Sequence, residues 1–157
     1  MTIVIAITGT LAILSLAVIF GTDVVGALVQ RSVYAELDER SMVQVVGRGH
    51  YYGDRRMPAI GISGTILTAA TAAAAFLWES TLAGILASAG FILVIVWLLF
   101  YAGIAKPINT TLTAAALAGE VPADARALQA RWESILPLRV TLTGVAMVLL
   151  LATLVLL

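Results

Sequence analysis

The residues best able to do chemistry are concentrated in one polar segment, residues 47–58, with the sequence GRGHYYGDRRMP. This segment contains the only histidine of the chain, His50, together with three of the nine basic residues. Histidine is the side chain whose unperturbed pKa lies nearest neutrality, so His50 is a candidate for proton transfer. Because the chain has one histidine and no cysteine, multi-histidine and thiolate metal sites are excluded. A single axial bond from His50 to a haem iron stays open.

Asp23 is the second candidate, because it lies one or two turns inside the end of a long apolar run. Burying an ionised carboxylate in lipid is costly, so an acid within a membrane span indicates a functional site. The structural alternatives are an ion pair with Arg55, Arg56 or Arg139, or exposure at the membrane interface. Asp23 and His50 are therefore the predicted catalytic residues.

Six further side chains are predicted to bind a substrate. Two adjacent guanidinium groups at a helix start can hold an anionic oxygen. The arginines and the tryptophan also have a purely structural interpretation, since arginines flank membrane helices and tryptophan lies at the membrane interface. Asparagine often caps a helix, and this is the role favoured for Asn109. Asp54 follows His50 by one helical turn and is a candidate to orient the imidazole. The predicted substrate-binding residues are Tyr52, Arg55, Arg56, Asn109, Trp132 and Arg139.

The composition indicates the elements that must position these residues. The chain is 61% hydrophobic and 11% charged, whereas soluble domains have about 45–50% apolar and about 25% charged residues. A membrane helix needs about 20 apolar residues, and four runs qualify, at about 2–28, 59–78, 82–105 and 138–157. The first 20 residues lack lysine and arginine, so the first run is expected to be a retained span rather than a signal peptide. The prediction is all-α, a four-helix integral membrane bundle in which residues 1–157 form one domain.

Charge predicts the orientation of the four spans. All nine basic residues fall within or beside the two long connections, and none lies at the termini or in the short hairpin between spans two and three. The positive-inside rule then places both long connections in the cytoplasm and both termini outside the cell membrane. Short helices are expected in these connections, at about 38–46, 109–118 and from Pro122 to Pro137. Glycines are expected to make residues 47–58 irregular.

The candidate residues therefore meet at the cytoplasmic edge of the bundle. They would form a cavity with apolar depth and a polar mouth, suited to a flat apolar substrate that carries hydroxyl or keto oxygens. The formal net charge of zero gives no basic surface for nucleic acid. Nucleotide hydrolysis and the common hydrolase mechanisms have no support, because no P-loop, GxGxxG, GxSxG or zinc motif is present.

Short motifs after the third span suggest a relationship. The chain has Pro107-Ile108-Asn109, then Arg131-Trp132-Glu133, then Arg139 at the start of the fourth span. With the four-span layout, this pattern resembles the anthrone-oxygenase-like integral membrane family. The resemblance implies oxygenation of an activated aromatic, such as a polyketide anthrone, without a metal or flavin. The implied base is Asp23 or His50, and the implied oxyanion partners are Arg55, Arg56 or Arg139 with Asn109.

Two other functions stay open at this point. The first is a haem protein with His50 as axial ligand and arginines on the propionates. The second is a non-enzymatic membrane module, either an assembly partner or a small carrier. The expected partners are the lipid bilayer and a small hydrophobic aromatic molecule, and a homo-oligomer also stays open.

Overall fold

A computed structural model describes residues 2–157, and within that range the chain is helical with no strands. The all-α prediction is confirmed. Two π-helical turns, Gly26–Gln30 and Tyr101–Ala105, join helices without a break in the chain direction. The helices are α1 (Thr2–Val25), α2 (Arg31–Glu36), α3 (Glu39–Trp78), α4 (Thr81–Phe100), α5 (Lys106–Ala118), α6 (Ala125–Ser134) and α7 (Leu136–Val155).

Four helical stretches, Thr2–Glu36, Glu39–Trp78, Thr81–Ala118 and Ala125–Val155, are long and apolar enough to cross a membrane. Each predicted span coincides with part of one stretch, which extends beyond the span into a polar connection. The helical segments of the connections are therefore mostly continuations of the long helices.

The expectation that residues 47–58 are irregular was wrong, because α3 runs through them as one helix of 40 residues. Gly47 does not stop the helix, since it lies where α3 meets α5. A Cβ on Gly47 would clash with the carbonyl oxygen of Leu112. Packing of this kind outweighs the cost of glycine in a helix, about 1 kcal/mol. Pro58 removes one intrahelical hydrogen bond, a loss that apolar helix bundles tolerate.

The start of α1, the end of α7 and the α3–α4 hairpin lie at one end of the bundle, and both long connections lie at the other. At the first end, Thr2 Oγ1 donates to Glu79 Oε1 over 2.6 Å. At the opposite end, Arg40 Nη1 donates to the carbonyl of Gly119 over 3.1 Å. The predicted clustering of the two long connections is therefore confirmed, and the site residues they carry share one end of the molecule.

The apolar core is divided between the two ends. At the terminal end, small side chains allow the long helices to approach closely. At the other end, α3 packs against α5 and the start of α6. The cluster at the terminal end is Ala12, Leu16, Ala72, Ala75, Ala83, Ala87, Val94, Ala146 and Leu150. The cluster beneath the connections is Met42, Val43, Val46, Ile108, Leu112, Ala115, Ala116 and Ala125.

Candidate functional site

A cavity of about 780 Å³ lies in the polar half of the bundle. All seven helices contribute at least one lining residue, so the cavity exists only in the assembled fold. Ligand sites in proteins usually measure about 300–1,000 Å³ and combine apolar walls with a few polar groups. This cavity meets both conditions.

A buried ion pair forms one wall of the cavity. Arg139 Nη2 lies 2.8 Å from Asp23 Oδ1, and the two side chains are 7% and 3% exposed. The second carboxylate oxygen, Asp23 Oδ2, accepts a hydrogen bond from Trp97 Nε1 over 3.0 Å. The guanidinium carbon of Arg139 lies 4.7 Å from the centre of the Trp97 ring and 5.5 Å from that of Trp132. Asp23 therefore holds Arg139 in place between two aromatic faces.

His50 lies on another wall, on the same cavity as the ion pair. Its ring centre is 5.3 Å from that of Trp132, and the two planes are inclined by 49°. His50 Nε2 is buried and has no hydrogen-bond partner among residues 2–157. The imidazole therefore presents an unused ring nitrogen within the site.

The carboxylate of Asp54, which also lines the cavity, accepts three side-chain hydrogen bonds. It accepts hydrogen bonds from Tyr101 Oη over 2.9 Å, from Lys106 Nζ over 3.0 Å and from Asn109 Nδ2 over 3.1 Å. Tyr101 also stacks on Trp97, with ring centres 5.7 Å apart and planes 5° from parallel. The two acids of the site are thus connected through one aromatic stack.

Several buried polar atoms around the cavity have no partner among residues 2–157. Buried polar groups usually form hydrogen bonds, so these atoms are available to a ligand or to water. Arg139 Nε and Nη1 and Trp132 Nε1 are donors, whereas Gln129 Oε1 and Asn109 Oδ1 are acceptors. The amide assignments are chemically required, since the NH₂ groups of Gln129 and Asn109 already donate to the carboxylates of Glu133 and Asp54.

Comparison with known proteins yields no match: no protein-family model, no curated protein and no solved structure corresponds significantly to this chain. The resemblance to the anthrone-oxygenase-like family therefore stays a prediction.

Five of the eight predicted site residues line the cavity together. They are Asp23, His50, Asn109, Trp132 and Arg139. Asn109 does not cap a helix, because α4 continues through a π turn into α5 and its side chain is buried against Asp54.

The other three predicted residues lie outside the cavity, because they occupy the outer face of α3. Arg55 lies 3.6 Å from the centre of the Tyr51 ring, and Arg56 lies 4.9 Å from that of Tyr52. Tyr52 is itself 51% exposed. In a regular helix successive residues point about 100° apart, so only His50 and residues on its side of α3 reach the cavity.

Three residues of the site were not predicted from the sequence. Trp97 and Tyr101 lie in an apolar run, where aromatic residues usually contact lipid, although their spacing of four places them on one helix face. Gln129 carries no motif. Asp54 was expected to orient His50, but its carboxylate instead accepts bonds from three other side chains.

Proposed function

We propose that this chain is a multi-pass protein of the cell membrane that oxygenates a flat, mainly apolar aromatic molecule bearing keto or hydroxyl oxygens. The observation that carries the proposal is one cavity lined by an imidazole nitrogen and by arginine and tryptophan donors that have no hydrogen-bond partner within residues 2–157. Such a set suits removal of a proton from carbon and stabilisation of the resulting oxyanion.

Membrane insertion is supported by the outer surface of the helices. Large apolar side chains on α1 are exposed along its length, including Ile3 (74%), Ile7 (54%) and Leu14 (59%). A surface of this kind needs lipid around it. We propose that the end bearing the long connections is cytoplasmic, because every basic residue lies within or beside those connections.

His50 is the proposed base. Both carboxylate oxygens of Asp23 are occupied, one by Arg139 and the other by Trp97. Asp23 is therefore proposed to be a positioning residue for Arg139, whose free N–H groups would receive the oxyanion. An aligned base contributes about 10²–10⁴-fold to rate, and one oxyanion donor contributes about 10²–10³-fold.

The proposed reaction converts the activated CH₂ of an anthrone to a carbonyl. The base removes one proton, and the negative charge spreads onto the ketone oxygen, where Arg139 would stabilise it. The carbanion then reduces O₂, and the new C–O bond gives a hydroperoxide after the proton returns from the imidazolium. Loss of the second C–H proton and cleavage of the O–O bond release water. One CH₂ and one O₂ thus give one C=O and one H₂O, with no other reductant.

The test is oxygen uptake by purified protein in metal-free detergent with an anthrone as substrate. One O₂ should be consumed for each anthraquinone formed. His50→Gln should lower the rate by about 10²–10⁴-fold. Arg48→Gln is the matched control on the same helix, since Arg48 is exposed and contacts Gln44 outside the cavity. No oxygen uptake across a panel of anthrones and related phenols would overturn the proposal.

A haem protein is the second candidate, and it is favoured by His50 Nε2, for which residues 2–157 supply no hydrogen-bond partner. In this case Arg139, rather than the outward-facing Arg55 and Arg56, would be the cation available within the cavity. Purified protein would show a Soret band that His50→Ala abolishes, whereas a colourless, iron-free preparation would end this candidate.

A further inference from the structure

Helices α1 and α3 are close together at the terminal end of the bundle and separate toward the cavity. A Cβ built on Gly64 of α3 would lie 3.1 Å from Ser15 Cβ of α1. One turn nearer the cavity, a Cβ on Gly61 would have its nearest neighbour at 4.0 Å, on Ile19. A Cβ on Gly21 of α1 would meet nothing within 4 Å. The two helices therefore form a wedge-shaped cleft that widens into the cavity.

The rim of this cleft is apolar. Of the cavity-lining residues, Val18 and Val25 of α1 are 43% and 47% exposed, and Ile62 of α3 is 59% exposed. All three lie within the segments whose composition predicts membrane spans, at about 2–28 and 59–78. If the four helices span the bilayer as proposed, the cleft faces the hydrocarbon region rather than water.

The inner end of the cleft carries the groups that indicate a ligand. Arg139 is 6% exposed and lines the cavity, and its Nε and Nη1 atoms have no partner among residues 2–157. Trp132 Nε1 is a third donor on the same cavity that no group in the described part of the chain pairs with. A molecule that lies in the cleft can therefore direct ring oxygens at buried donors while its apolar part stays between α1 and α3.

We infer that the ligand enters sideways from the bilayer through the cleft between α1 and α3. The ligand is an aromatic ring with keto oxygens and an apolar tail, and the tail remains in the cleft between Val18 and Ile62. Gly21 sets the width of this opening. The inference rests on the proposed function for the ring chemistry and adds that the substrate class is membrane-dissolved and tailed.

Two quinones that share one ring provide the test. Phylloquinone carries a methylnaphthoquinone ring with a long apolar tail, and menadione is the same ring without the tail. Addition of a thiol to either quinone is excluded, because the chain has no cysteine. Quinones quench tryptophan fluorescence, and both Trp97 and Trp132 line the cavity. The third tryptophan, Trp78, lies at the opposite end of the bundle, so the Trp78→Phe background removes its signal.

Binding is measured by the quenching of tryptophan fluorescence, with the protein held in phosphatidylcholine nanodiscs and oxygen excluded. Phylloquinone and menadione should both quench, because an open cleft leaves room for the tail. Gly21→Phe should weaken phylloquinone binding by at least about tenfold by filling the opening. Gly103→Phe is the matched control, since a Cβ there also meets nothing within 4 Å but Gly103 does not line the cavity. The affinity of the Gly103→Phe variant for phylloquinone should stay within about twofold of the parent.

Each other outcome overturns a defined part of the inference. Quenching by menadione but not by phylloquinone would mean that the cavity is closed to the bilayer. Equal phylloquinone binding by Gly21→Phe and Gly103→Phe would exclude the α1–α3 cleft as the route, and no quenching by either quinone would refute the ligand class. Because these quinones need no oxygen chemistry, a protein that binds them but consumes no oxygen with anthrones refutes the proposed function alone.

Discussion

Replacing Asp23 by asparagine tests the central contact of the site. Asparagine has nearly the same shape and can still accept the hydrogen bond from Trp97, so the substitution mainly removes one charge. Arg139 would then remain buried, 6% exposed, without its counter-ion. An uncompensated buried charge is among the few causes of large destabilisation by a single substitution.

The expected magnitude follows from the geometry. An N–O distance of 2.8 Å puts the charge centres about 4 Å apart, which corresponds to about 4 kcal/mol at an effective dielectric constant near 20. Removal of one partner of a buried pair generally costs about 3–5 kcal/mol. Asp23→Asn should therefore lower the free energy of unfolding by about 3–5 kcal/mol.

The assay is equilibrium unfolding in mixed micelles with increasing SDS, followed by far-ultraviolet circular dichroism. The ion pair of Arg31 and Glu133 provides the control, because its N–O distance is 3.5 Å and the charged partner to be removed, Arg31, is 64% exposed. Arg31→Gln should cost at most about 1 kcal/mol. Replacing both buried partners, as Asp23→Leu with Arg139→Met, should cost less than the sum of the single changes. If Asp23→Asn lowers the free energy of unfolding no more than Arg31→Gln does, then a desolvated ion pair does not hold Arg139. The proposal that Asp23 positions Arg139 in the site would then be refuted.

Three further predictions concern the polar end of the bundle. Gly47→Ala should lower the free energy of unfolding by about 1–3 kcal/mol in the same assay, because the added Cβ would clash with the backbone of Leu112. Gly103→Ala is the control and should not destabilise the protein, since a Cβ on Gly103 meets nothing within 4 Å. Asp54→Asn should cost about 1–3 kcal/mol, since its carboxylate accepts three hydrogen bonds, and an unchanged midpoint would contradict this. At the N-cap of α3, hydrogen bonds from the side chain and backbone of the serine three residues on lower the pKa of Asp38 below its ordinary value of 3.8. The stabilisation from the ionised Asp38 carboxylate is therefore present at neutral pH and is lost as the pH falls through that lowered pKa. The difference in unfolding free energy between the parent and Asp38→Asn should accordingly shrink in acid. A difference that grew in acid would refute the capping role of Asp38.

Local features that depend on composition or on a single turn could be predicted from the sequence. Hydropathy located four apolar runs, and each lies in one of the four long helices. The helix predicted at about 109–118 does end there, because Gly119 follows Ala118 with a φ of 72°, a left-handed conformation that favours glycine. The break before Pro137 was also expected, and α6 ends at Ser134 while α7 begins at Leu136.

The main error came from applying local propensity where packing dominates. Gly47, Gly49 and Gly53 indicate a helix break when read along the chain, but the contact of Gly47 with α5 extends α3 through all three. Once residues 47–58 are helical, His50 faces the cavity while Arg55 and Arg56 face outward. Because of this helical conformation, Tyr52, Arg55 and Arg56 lie outside the cavity that they were predicted to line.

The sequence by itself determined that there are four apolar helices, that the polar connections share one end, and that Asp23 and His50 are exceptional in their surroundings. These properties follow from hydropathy, charge and residue type, which are local. Only the tertiary structure decided that Arg139, of the three arginines considered, pairs with Asp23, and that Trp97 and Gln129 belong to the site. Helix packing and rotation set those choices, and they bring together residues that are far apart along the chain.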